Sequence, residues 1–187
     1  MNAQEIKIKS QSLLNKAKLE SLWKEFSKDD GWRALTAEMT RLGYKRGLDV
    51  KQMWGVKGIT SDGQPLLLCM YDFTSSTKKP GTMVWLKKGT KVYKAYIRLG
   101  KGKDIDAQIE NSVEYYANAN GKLVKASSFG RNFGRCFRNR LRDQCGTICL
   151  GSLGACALTF SLVGYVHCVV FVCGGCATVA AISCGFL

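Results

Sequence analysis

From Gln144 to Leu187 the chain has no Asp, Glu, Lys or Arg, yet this stretch holds seven of its nine cysteines. An eighth, Cys136, lies just upstream. All 28 basic and 14 acidic side chains fall within residues 1–143, so the net charge of +14 belongs to the first piece alone. The chain is two chemically different objects joined end to end. A stretch as apolar as the second belongs in a membrane, or in a small globule that must be stapled to stay folded.

The break in charge near Asp143 sets the expected organisation. Residues 1–128 are long enough to bury a modest core. Residues 129–144 form a basic linker, and residues 145–187 a hydrophobic, cysteine-rich α-helical module too short to rely on a core alone. In the first piece Leu19, Leu22, Trp23 and Phe26 share one face of an amphipathic helix, expected from near Ser10 to near Ser27. Asp29 or Asp30 can cap a second helix carrying Trp32, Leu35, Met39 and Leu42, with Gly43 suited to the left-handed position beyond its end. Strands are expected near 51–59, 65–73, 82–87, 91–98, 109–117 and 122–127, separated by turn chemistry such as Asn120-Gly121. The expected fold class is α+β, two N-terminal helices followed by an antiparallel β-meander.

Little in this first piece points to catalysis. The one histidine of the chain, His167, lies outside it, so no histidine triad or histidine metal site can be built there. Cys69 sits in the apolar run Leu66 to Met70 and reads as a core thiol. Gly100-Lys101-Gly102-Lys103 lacks the strand–loop–helix context of a phosphate loop. Tyr and Trp residues beside the lysines read as core and cross-strand pairs rather than a stacking face, so no nucleic-acid partner is expected. The expectation is a protein that is not an enzyme and uses no cofactor or metal.

The linker is informative. Arg131, Arg135, Arg138, Arg140 and Arg142 alternate with Phe129, Phe133, Phe137 and Leu141, the last four spaced by i+4. If helical, this segment is basic and amphipathic, suited to an anionic membrane surface. An exposed arginine-rich joint is also where a protease would part the two pieces. A solvated linker, or positive-inside flanking charge for a membrane span, is the plainer reading. Upstream, Met1 to Phe26 interleaves charge with apolar residues and shows no signal-peptide core or twin arginine, so no conventional secretion signal is expected.

The eight downstream thiols, Cys136, Cys145, Cys149, Cys156, Cys168, Cys173, Cys176 and Cys184, are even in number and allow full disulfide pairing, with connectivity left open. Cys145-x3-Cys149 puts two sulfurs on one helical face. Ser161 to Val172 can form one helix and Ala177 to Ser183 another, with a break at Gly174-Gly175. An iron–sulfur loop through Cys168, Cys173, Cys176 and Cys184, or zinc through Cys173, Cys176 and His167, rests on weak spacing signals. The stretch from Gly146 to Val172 is long enough for a transmembrane helix. The rival to a stapled module is therefore a tail-anchored membrane protein whose basic domain faces the cytosol and binds anionic lipid or an acidic partner.

The tail CGTICLGSLGACALTFSLVGYVHCVVFVCGGCATVAAISCGFL, with its C-x3-C opening and its CGGC, resembles that of the fused immunity protein/bacteriocin precursors related to the microhalocins. The segment Leu35 to Tyr44 is similar in style to the LxxxxxxxGY segment of that family. The chain departs from the haloarchaeal members in being basic and in lacking a twin-arginine signal. The resemblance implies a bacteriocin precursor. Residues 145–187 would be released as a disulfide-bonded antimicrobial peptide, and residues 1–128 would serve as propeptide, immunity protein or both. The implied partners are a target-cell membrane, a processing protease and an exporter, besides the contact of the N-terminal domain with its own C-terminal peptide. The precursor would be cytoplasmic or membrane-associated and the mature peptide secreted.

Overall fold

A computed structural model describes residues 7–44, 53–73, 81–118, 120–126, 133–146, 149, 151, 155–156 and 161–186. The described residues open with a strand rather than with the expected helix from Ser10. Strand β1 (Ile8–Leu13) pairs antiparallel with β2 (Met53–Thr60), Gln11 opposite Gly58 and Leu13 opposite Val56. Ser10 and Ser12 are weaker helix formers than the residues of α1, and the free edge of β2 offers their backbone a ladder. Helix α1 (Lys16–Phe26) begins only where Asn15 accepts the Lys18 N–H at 2.9 Å.

Helix α2 (Asp30–Arg41) follows, with the Asp29 side chain accepting the Trp32 N–H at 2.9 Å. Gly43, at φ 85°, ends it as expected. Burial raises the Asp29 carboxyl, but hydrogen bonds from Lys94 (2.7 Å) and the Trp32 N–H outweigh it and hold the group below its ordinary value. That ion pair fastens the cap of α2 to the sheet.

The sheet continues as β3 (Pro65–Phe73), β4 (Gly81–Lys88), β5 (Lys91–Arg98), β6 (Val113–Ala117) and β7 (Leu123–Lys125). All seven strands lie in chain order and every pair is antiparallel. The last expected strands are shortened. Residues Ile105–Glu110 form helix α3 instead, capped by Asp104, which accepts the Ala107 N–H at 2.8 Å. Ile105 and Ile109 lie one turn apart on its buried side.

Both faces of this sheet are covered. Cys69, Tyr71, Met83, Trp85 and Tyr96 face α1 and α2, where Phe26 stacks on Trp85 at 4.0 Å. The Tyr71 hydroxyl donates to the Leu19 carbonyl at 3.0 Å and ties α1 to β3. Alternate residues Leu66, Leu68, Met70, Val84, Leu86, Tyr93, Ala95 and Ile97 face the other way, into one core with the C-terminal helices. These are α4 (Phe133–Gln144), α5 (Leu162–Cys173) and α6 (Gly175–Phe186). The molecule is α+β in three layers, an antiparallel sheet between helices.

Candidate functional site

Helices α4, α5 and α6 and four disulfides, among the described residues, make the layer that distinguishes this chain. Ser161 caps α5 by accepting the Gly164 N–H at 3.0 Å. Gly174 separates α5 from α6 at φ 59°, ψ −138°, a conformation open in practice to glycine alone. The break expected at Gly174-Gly175 is therefore real, and it folds two twelve-residue helices back on each other.

The bonds are Cys136–Cys184, Cys145–Cys176, Cys149–Cys173 and Cys156–Cys168. Each pair lies inside the one before it in sequence, so the cross-links are nested. Cys136 and Cys145 meet Cys184 and Cys176 in reverse order, which sets α4 antiparallel to α6. Cys145 and Cys149 reach the two thiols of Cys173-x2-Cys176. The cysteines considered for iron–sulfur or zinc ligation are thus consumed as disulfides. His167 is exposed and lies beside Trp54, ring centroids 6.0 Å apart.

The ninth cysteine is kept out of this network. Strand alternation turns Cys69 to the opposite face of the sheet, where burial pushes its thiol up to about 12 and keeps it protonated.

Residues 129–144 were expected as a linker, but from Phe133 onward they are helix α4, docked on the sheet. Phe133, Phe137 and Leu141 are fully buried, so the amphipathic stripe faces protein. An aromatic chain runs from Tyr93 on the sheet through Phe133 (6.3 Å) and Phe137 (6.1 Å) to Tyr165 on α5 (6.5 Å). Arg138 pairs with Glu110 of α3 at 2.5 Å, and Arg135 donates to the Glu110 carbonyl at 2.9 Å. Arg140 is half-buried, Arg142 is exposed, and Arg131 and Phe129 lie outside the described residues. Among the described arginines, Arg135 and Arg138 are thus turned to Glu110 while Arg142 is exposed.

Two buried carboxylates, not singled out by the sequence, mark where the sheet receives these helices. Glu114 on β6 accepts the Tyr93 hydroxyl and, through its other oxygen, the Phe133 N–H at 2.5 Å, satisfying an open donor at the start of α4. Asp72 on β3 accepts the Thr82 hydroxyl at 2.7 Å. Its second oxygen makes no hydrogen bond of ordinary geometry, although the Ser161 hydroxyl at the cap of α5 is near enough to act on the carboxyl. Burial pushes Asp72 up to about 6, and the Thr82 and Ser161 hydroxyls counter this only in part. Glu114 thus places an acceptor from the sheet at the start of α4, where negative groups are favourable.

Where the helix hairpin turns, Phe171 is 83% exposed and Val172 42% exposed. Among the described residues no helix is long and apolar enough to cross a membrane. No protein-family model, curated protein or solved structure gives a significant match to the chain.

Proposed function

We propose that this chain is the precursor of an antimicrobial peptide of the bacteriocin type. The helical layer α4 to α6 carries the activity, and the sheet with α1 and α2 acts as its propeptide and immunity module. One observation carries the reading: a nearly uncharged helical hairpin, locked by four nested disulfides, rests its apolar side on a charged carrier.

The activity is physical rather than catalytic. Apolar surface gains about 25 cal/mol per Å2 on leaving water, so a released layer lowers its free energy by entering a target bilayer. Disulfides restrict its unfolded states and keep the helices paired during that transfer. Within the precursor the same surface is covered by Leu68, Met70, Val84 and Leu86 of the sheet. The precursor would be held in the producer, and the peptide secreted after cleavage by a protease and passage through an exporter.

The test is an oxidised peptide of residues 133–187, which retains all eight paired cysteines. It is expected to leak dye from anionic liposomes and to inhibit related bacteria, and its reduced form to do neither. An oxidised peptide that leaves vesicles intact and bacteria growing would refute the function.

A further inference from the structure

We infer that α4 belongs to the releasable peptide, and that the Cys136–Cys184 bond requires the processing cut to fall on the N-terminal side of Cys136. This inference rests on the precursor reading above, and it fixes where the product must begin.

Cys136 lies in the first turn of α4 and Cys184 near the end of α6, 48 positions apart in sequence. Hydrolysis of a peptide bond between Cys136 and Cys145 adds one water, creates a new carboxylate and a new amine, and breaks no S–S bond. The piece carrying Cys136 therefore stays joined to the piece carrying Cys184. The outer bond makes every such cut silent.

Arg142 shows the consequence most sharply. It is exposed at the end of α4 and is the natural target there for an arginine-directed protease. A cut after it gives chains 1–142 and 143–187 joined by Cys136–Cys184 alone, because the other three bonds lie within 143–187. Separation then needs a thiol reductant, which is oxidised to its disulfide as Cys136 and Cys184 each gain a hydrogen. A cut before Cys136 leaves all four bonds within one peptide and needs no electrons. Arg135 and Arg138 are held against Glu110, so the docked α4 also shields its own first turns.

The experiment digests the full oxidised chain with an arginine-specific protease in denaturant, disulfides intact, and reads denaturing mass spectra with and without reductant. The expected result is that 143–187 appears free only with reductant; without it, the mass is that of 143–187 plus the fragment carrying Cys136. The C136S/C184S double variant, digested identically, should release 143–187 without reductant. Free 143–187 from the native sequence without reductant would overturn the inference, as would a secreted peptide from the producing cell that starts after Cys136. If the link is found but oxidised 133–187 spares liposomes and bacteria, the toxin reading fails while the covalent unit stands.

Discussion

Asp72 is the residue on which proton uptake and the docking of the helical layer meet. Its carboxyl titrates at about 6 in the fold against an ordinary 3.8, so the ionised form is the disfavoured one. A group whose folded value is raised lends its full stability below the unfolded value and loses it as pH climbs through the folded value. The window therefore runs from about pH 4 to above pH 6. At about 1.4 kcal/mol per unit, the wild type is expected to lose roughly 2–3 kcal/mol of unfolding free energy across it relative to Asp72→Asn. Urea midpoints of the two proteins between pH 4 and pH 7.5 measure this difference, and parallel profiles would contradict it. Cys69 shows the same alternation with the opposite result. One position along a strand decides whether a thiol faces the layer that holds the eight other cysteines or a wall of aromatic rings.

Among the elements, the α5–α6 hairpin depends most on a single backbone setting. A Cβ on Gly174 would meet no atom within 4 Å, so a substitution there is penalised by its φ and ψ and not by a clash. Gly174→Ala is expected to cost about 1–3 kcal/mol, measurable as a lowered denaturation midpoint of the oxidised protein. An unchanged midpoint would mean that the hairpin turns by some other backbone path. This break was legible in the sequence because two adjacent glycines interrupt an apolar run. Helix α2 was legible too, from Asp29 and the Trp32 to Met39 stripe. Strand β1 was not: five of its six residues are exposed, so it carries no alternating apolar signature, and its pairing with β2 alone defines it. Helix α3 was obscured by its brevity, although Asp104 followed by Ile105 and Ile109 holds the signal. The disulfide partners were illegible because they depend on α4 lying antiparallel to α6, a tertiary fact.

For the whole molecule, the third layer was written into β3. Leu66 to Tyr71 is apolar without interruption, whereas a strand with one wet face alternates. The charge boundary at Asp143 is thus a boundary of composition, while the core runs across it. Each large side chain on the second face of the sheet gives up about 1.5–3 kcal/mol if it returns to water. A fragment of residues 1–132 would uncover Trp54, Leu68, Met70, Val84, Leu86 and Tyr93 together, more than a domain stable by about 5–15 kcal/mol can tolerate. Such a fragment is expected to bind a hydrophobic dye strongly and to self-associate, with light scattering and dye fluorescence as readouts. A monomeric fragment without dye binding would show that the sheet does not need its cover.

The concentric order of the cross-links bears on how the chain acquires them. Sequence separations of 12, 24, 31 and 48 rise from the innermost bond to the outermost. Chain-closure entropy favours the shortest loop first, and every bond made shortens the open span that the next must close. Oxidation can therefore advance like a zipper from the hairpin outward, without threading and without undoing an earlier bond.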